Sequence, residues 1–310
     1  MIKVEKLTKI YGVHKALDDV SFEVKQGEVL GFLGPNGAGK TTAMNIMTGY
    51  ISGTSGDVFI GGIDVLVEPE AAKRHIGYLP ETPPLYLDMR VDEFLTFVAD
   101  IKGVSKSARS VMLSAIKVAA RINDVSKRLI RNLSKGYRQR VGLAAAIVGY
   151  PSVIIMDEPT VGLDPKQIIE MRDVIKNLGK KHTIILSSHI MQEVSAVCDR
   201  VMIINKGRIV AEGEPEKLSK SASGALLVRI KGEKDAIEKA LNDYPLIKNI
   251  RDAGELEAGT RDYELSADED IREAVFACAK THNLPILMMK PLDFSLEEVF
   301  LQITREETAS

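Results

Sequence analysis

Residues Gly34 to Thr42 read GPNGAGKTT, directly after the apolar run Val29-Leu30-Gly31-Phe32-Leu33. The run has the composition of a buried strand, and Gly34, Gly39, Lys40 and Thr41 fill the pattern G-x-x-x-x-G-K-[ST]. Each residue type answers a need of polyphosphate binding. Glycines let the backbone curl so that successive N–H groups point inward, and a helix beginning near Lys40 adds the positive end of its dipole. Gly34, Pro35, Asn36, Gly37, Ala38, Gly39, Lys40, Thr41 and Thr42 are therefore read as a phosphate cradle, with Lys40 reaching the outer phosphates and the Thr41 hydroxyl ligating magnesium. Ala43, Met44, Ile46 and Met47 continue as a helical stripe, which completes the strand–loop–helix context of the motif.

Upstream of this loop, Ile2-Lys3-Val4-Glu5 and Val20-Ser21-Phe22-Glu23-Val24 alternate apolar with polar and are punctuated by Gly12 and Gln26-Gly27, the pattern of antiparallel strands. Tyr11 lies in this entry region. Downstream, Asp57 to Gly62 reads as a further strand and turn. From Val91 to about Arg131 helical spacing replaces strands, and an inserted helical lobe is expected over about residues 82–150. Buried strands then return at Val153–Met156, Thr183–Leu186 and Val201–Ile204, alternating with helices over Gln167–Leu178 and Met191–Cys198. This alternation implies an α/β sheet with its ligand at the carboxyl ends of the strands.

Pro, Lys, Ser and Gly dominate Glu214 to Gly224, which is read as a linker. It separates a first domain, residues 1–220, from an accessory domain, residues 225–305. The second domain has the element order βαββαβ, a small α+β ferredoxin-like unit without a visible catalytic constellation. A last helix is expected after Asp293, capped by Ser295 with Glu298 three residues on. The acidic run Asp268-Glu269-Asp270 is read as a solvated helix start.

A chain of 310 residues is long for one compact domain and agrees with about two. Its formal net charge of -2 supplies no global basic field for nucleic acid or for an anionic membrane surface. Cys198 and Cys278 are the sole cysteines, far apart and without metal-ligand spacing, which fits a reducing compartment. The opening MIKVEKLTKIYG lacks the apolar core of a signal peptide, and the apolar region Val141–Met156 is interrupted by Pro151 and too short to span a bilayer. A cytoplasmic protein is expected, with any membrane crossing left to another chain.

A second informative string is Val153 to Thr160, VIIMDEPT. An apolar strand ending in two carboxylates suits Asp157 to the magnesium shell and Glu158 to orienting and deprotonating a water beside the γ-phosphate; a helix cap or surface turn is the other use of such a pair. Ser134 in LSKGYRQR stands at a helix N-terminus, where the hydroxyl and free N–H groups either bind an anion or simply cap the helix. Gly162-Leu163-Asp164 follows the carboxylates, and His189 ends the strand over Thr183–Leu186.

In this order, GPNGAGKTT, LSKGYRQR, VIIMDEPTVGLD and SSH resemble the motifs of the ATP-binding subunit of an ATP-binding cassette (ABC) transporter, over about residues 2 to 218. The resemblance implies a P-loop NTPase of ABC type with a mixed sheet core, an antiparallel β subdomain and a helical subdomain. It implies ATP and Mg²⁺ as ligands and two copies stacked head to tail, each ATP lying between the phosphate loop of one and Ser134 and Gly136 of the other. By the same resemblance Tyr11 stacks on adenine, Lys40 and Glu158 serve hydrolysis with Glu158 as base, Asp164 couples the two sites and His189 senses the γ-phosphate.

Two departures stand out. Glu81 in YLPE replaces the usual Gln, and a carboxylate accepts but cannot donate, so its contact with metal or attacking water is open. Lys135 and Tyr137 replace a Gly and a Gln of the usual signature; Lys135 either adds a cation near the partner's phosphates or faces solvent. Both departures, and the terminal Ser295-Leu296-Glu297-Glu298-Val299-Phe300-Leu301, are similar to the branch that exports drugs, lipids, polysaccharides or ions.

The resemblance thus implies an ATP-hydrolysing subunit, peripheral at the inner face of the cell membrane, that powers export through a separate permease. The permease is expected in the groove around Thr82 to Phe97. There Pro83-Pro84-Leu85-Tyr86 either receives a short partner helix or closes the lobe. The alternative is a soluble ABC ATPase acting on nucleic acid or ribosomes, although neither a second cassette nor a long coiled coil is present. A nucleotide kinase or GTPase would share the phosphate loop alone, without the Ser134 segment and His189.

Overall fold

The structure, a computed structural model, describes residues 1–221, 225–255, 257–267 and 270–291, and the chain divides between Gly213 and Glu214 into two units. In the first, β1 (Ile2–Tyr11) and β2 (His14–Val24) pair antiparallel and bury alternate residues, Ile2, Val4 and Leu7 against Val20, Phe22 and Val24. Gly12, at φ +59°, makes the tight turn between them. β3 (Val29–Leu33) is buried at all five positions and leads through the glycine loop into α1 (Lys40–Met47). β4 (Ser55–Ile60) and β5 (Ile63–Asp64) complete a four-stranded antiparallel sheet in the order β2-β1-β4-β5.

Then come α2 (Pro69–Arg74), begun by a proline at its first position, and β6 (Ile76–Leu79). The helical lobe consists of α3 (Val91–Ile101), α4 (Lys106–Ala119) and α5 (Lys135–Ile147), with two 3₁₀ turns at Asn123–Val125 and Ile130–Asn132. β7 (Val153–Met156), α6 (Pro165–Gly179), β8 (Thr183–Ser188), α7 (Met191–Val197), β9 (Arg200–Asn205) and β10 (Arg208–Gly213) follow. The second sheet runs β10-β9-β3-β8-β7-β6, parallel except for the β9–β10 hairpin. Its central strands are buried on both faces and read as continuous apolar runs, as parallel strands under helices must.

The second unit holds α8 (Pro215–Ser221), which occupies the stretch expected as a linker. Its charged sequence EKLSKS has good helix formers behind an N-terminal proline, so polarity there is compatible with a helix as well as with a chain break. β11 (Ala225–Lys231), α9 (Lys234–Asn242), β12 (Asn249–Gly254), β13 (Thr260–Ser266), α10 (Arg272–Thr281) and β14 (Ile286–Pro291) form an antiparallel sheet in the order β12-β13-β11-β14. Leu226, Val228, Ile230, Tyr263 and Leu265 on one sheet face meet Ile237, Leu241, Val275 and Cys278 in its core. Asp270 forms an ion pair with Arg272 at the start of α10. Asp268 and Glu269, and the expected helix with Ser295 and Glu298, lie outside the described residues. Among the described residues no helix is long and apolar enough to cross a membrane.

One close approach holds α7 to the central sheet. A Cβ on Gly31 of β3 would stand 2.1 Å from Val194 Cγ1 and 2.9 Å from Cys198 Sγ, so only glycine lets the helix lie directly on the strand. Gly31→Ala is expected to destabilise the first unit by about 2 kcal/mol through overpacking, read as a lowered midpoint in thermal unfolding followed by circular dichroism.

Candidate active site

β3 pairs in parallel with β8 on one side and β9 on the other, and the chain leaving Leu33 must curl at once. A Cβ on Gly34 would sit 2.5 Å from the Ile204 carbonyl oxygen. Gly39 caps α1 at φ +107°, where a Cβ would lie 2.5 Å from the Ala16 carbonyl oxygen. Under the curl the Lys40 side chain is buried, and its ammonium donates to the carbonyl oxygens of Gly34 at 2.7 Å and Pro35 at 3.2 Å.

The two carboxylates stand two strands away, at the end of β7, with β8 between. Ser187 of β8 bridges them: its hydroxyl donates to Asp157 Oδ1 at 2.5 Å and accepts the Glu158 backbone N–H at 2.9 Å. Glu158 has φ +46°, a left-handed conformation uncommon outside glycine. Its Oε1 lies 3.3 Å from Lys40 Nζ and its Oε2 lies 2.9 Å from His189 Nδ1. Lys40 and Glu158 are 6% and 7% exposed, so both charges are removed from water and are held by each other and by these hydrogen bonds. Burial, and then the Asp157 charge, push the neighbouring Tyr78 phenol up to about 12.

Lys40, Glu158 and His189 line a cleft of about 470 Å³ that also takes in Tyr11, His14, Thr41, Thr42 and Glu81, whereas the buried Asp157 and Ser187 stand behind its lining. Tyr11 is about half exposed, with the Lys9 ammonium 5.1 Å from its ring centroid. Glu81 is exposed at the rim. Thr41, Asp157 and Glu81 carry one hydroxyl and two carboxylates, the oxygen donors that magnesium takes; Thr41 and Glu81 line the cleft, while Asp157 is 2% exposed and does not. Among the described residues no group of three or more His, Cys, Asp and Glu gathers to hold a metal, so the protein alone does not build a closed cage.

Ser134, Gly136 and Asp164 do not line this cleft. Ser134 is the N-cap of α5, its hydroxyl accepting the Tyr137 N–H at 3.4 Å, and Asp164 is the N-cap of α6, accepting the Gln167 N–H at 2.9 Å. A Cβ on Gly136 would meet Gln167 Oε1 at 2.5 Å, so α5 and α6 meet there through a glycine. The Lys135 ammonium lies across Gly162 of its own chain, where a Cβ would be 2.2 Å from Nζ. Tyr137 donates its hydroxyl to Asp124 at 2.5 Å, and its ring stands 4.4 Å from the Arg140 guanidinium carbon, which makes it a brace within the lobe.

The family described as ABC transporter matches residues 17–161. An uncharacterised ABC transporter ATP-binding protein of Bacillus subtilis, YhcH, is 32% identical over 99% of this chain and 96% of its own length. The linearmycin resistance ATP-binding protein LnrL of the same organism is 30% identical over 98% of each. The chain belongs to the ABC transporter ATP-binding proteins. Among solved structures, a dimeric post-hydrolysis state of the ATP-binding cassette MJ0796 bound to ADP and Pi superposes with a TM-score of 0.63 at 25% identity, over 69% of this chain and 98% of that one.

This ABC ATPase thus brings Glu158 into contact with both Lys40 and His189 within one copy, while the exposed Ser134 and the buried Gly136 lie outside that cleft. Sequence reasoning passed over Ser187, although it stands in the same SSH string as His189; the signal would have been the adjacency of β7 and β8, which contiguous residues do not reveal. Ser187→Ala should leave nucleotide binding intact and lower ATP turnover about tenfold, because Asp157 and the Glu158 backbone lose their shared partner; a phosphate-release assay beside fluorescent nucleotide binding measures both.

Proposed function

We propose that two copies of this chain close head to tail on ATP and Mg²⁺ and, by hydrolysing the ATP, drive export through a separate membrane permease. The observation that carries this reading is the contact of Glu158 with both Lys40 and His189 at the head of the phosphate loop. In it, Glu158 orients the attacking water and takes its proton, while Lys40 and His189 hold the transferring phosphate. Tyr11, half exposed at the rim of the cleft, stacks on adenine. Thr41 and Asp157, with Glu81 beside them, would hold a magnesium ion, which when bound would supply positive charge against the phosphates.

A single copy leaves the outer side of the cleft open, and Ser134 with the first N–H groups of α5 is a surface suited to the γ-phosphate of a second copy. Asp164, at the start of α6, couples the paired sites. The dimeric form of the MJ0796 cassette, with ADP and Pi, supports this arrangement. An apolar groove of about 550 Å³, lined by Leu79, Pro83, Tyr86, Phe97 and Ala145 among others, suits a short helix of the permease. In this reading the chain is a peripheral subunit at the inner face of the membrane, and the groove supports it. Relatives named for linearmycin resistance and for bacitracin transport support an export role.

Glu158→Gln should retain ATP binding, lower turnover on the order of 100-fold and trap an ATP-dependent dimer in gel filtration; normal hydrolysis would sink the general-base assignment. Ser134→Arg should block that dimer while leaving ATP binding to the single chain intact. Equal loss of both would place Ser134 within its own chain's site.

A further inference from the structure

Glu193 is a carboxylate that the site described above does not use. It sits on α7, is 5% exposed, and forms no ion pair with any Lys, Arg or His among the described residues. A buried carboxylate without a cation is costly unless hydroxyl or N–H donors take over the work of water. Its Oε2 accepts two hydroxyls that come from two different chain segments, one following β7 and one ending β8. One is Thr160, two residues beyond Glu158. The other, at a longer 3.5 Å, is Ser188, immediately before His189. The Ser188 hydroxyl also accepts the Ile190 N–H at 3.0 Å, so it spans the backbone on both sides of His189. The helix that carries Glu193 is fixed in its turn, because Val194 lies directly on Gly31 of β3.

We propose that Glu193 is a positioning residue for ATP hydrolysis: through Thr160 and Ser188 it ties the turn bearing Glu158 to the loop bearing His189. The 2.9 Å contact between His189 Nδ1 and Glu158 Oε2 then rests on two bridges rather than one. Ser187 joins the carboxyl ends of β7 and β8, and Glu193 joins the chain segments that leave them. The phosphate loop is shaped separately by Gly34 and Gly39, so this link bears on turnover and not on nucleotide affinity. The inference rests on the reading of Glu158 and His189 as the hydrolytic residues.

The test is steady-state ATP hydrolysis by the full chain, with the Kd for a fluorescent ATP analogue measured on the same preparations. Thr160→Val keeps the side-chain shape and removes one hydroxyl, while Glu193→Leu removes the acceptor. Each should lower kcat at least about tenfold, with KM and Kd moving less than about twofold. The combined variant should lose no more than the worse single one, since both break the same link. Glu193→Gln should keep at least about half of kcat, because its amide oxygen can accept both hydroxyls. The proposal is overturned if Thr160→Val and Glu193→Leu turn over like the native protein, if Kd worsens in step with kcat, or if Glu193→Gln is as slow as Glu193→Leu. Should Glu193→Leu not fold, the comparison of Thr160→Val with Glu193→Gln decides alone. Glu158→Gln in the same assay separates the two readings: if it hydrolyses normally the general-base assignment falls, whereas an inactive Glu158→Gln beside a fully active Thr160→Val overturns the role of Glu193 only.

Discussion

The parallel pairing of β8 between β3 and β7 is the constraint on which the site depends. Its register sets Leu33 beside Ser188 and Met156 beside Leu186, so β3 and β8 end side by side and β7 ends two residues short of them, which brings Asp157 and Glu158 alongside the last residues of β8. A slip of one residue would turn alternate side chains to the other face of the sheet and carry Ser187 away from Asp157. All residues of β3, β7 and β8 are covered, so a shifted pairing would set each side chain into packing shaped for another.

Within that frame the electrostatics are high-stakes. An ion pair removed from water gains little net stability, since desolvation offsets most of the attraction, and it persists when further hydrogen bonds satisfy both ends. Lys40 has the Gly34 and Pro35 carbonyls, and Glu158 has His189 and, through its backbone, Ser187. The consequence is that Glu158 is specified more tightly than stability alone requires, in a backbone conformation that an L-residue adopts at some cost. Pre-organisation of this kind supports the role proposed for Glu158.

The helical lobe extends the same logic over distance. α5 has 13 residues and is roughly 20 Å long, with Ser134 at its exposed N-terminus and Ala145 at the wall of the apolar groove near its other end. Its last turn is tied down by Lys102, whose ammonium donates to the carbonyls of Ala145, Ala146 and Val148 at 3.3, 2.9 and 2.9 Å. Burial pushes that lysine down to about 8, while the carbonyls of a helix C-terminus favour its proton. One stiff element therefore connects the surface suited to a second copy's phosphate with the groove suited to a partner helix.

The phosphate loop, the helix after it and the carboxylates ending an apolar strand were legible in the sequence, because each is a local pattern: glycines where the backbone must curl, and a strand, loop and helix in contiguous residues. The βαββαβ order of the second unit was legible for the same reason. β6 and α2 were not, since four and six residues are too few for periodicity to speak, and the polar composition around Pro215 concealed α8. What only the tertiary structure decided is which strands are neighbours. β3 lies beside β8 in space yet far upstream of both β8 and β7 in sequence, and the partners that Ser187 and Glu193 find across these strands cannot be read from contiguous residues. A hydrogen bond needs two groups within about 3 Å. The sequence by itself determined which chemical groups this chain carries; the long-range pairing of buried strands decided which of them meet.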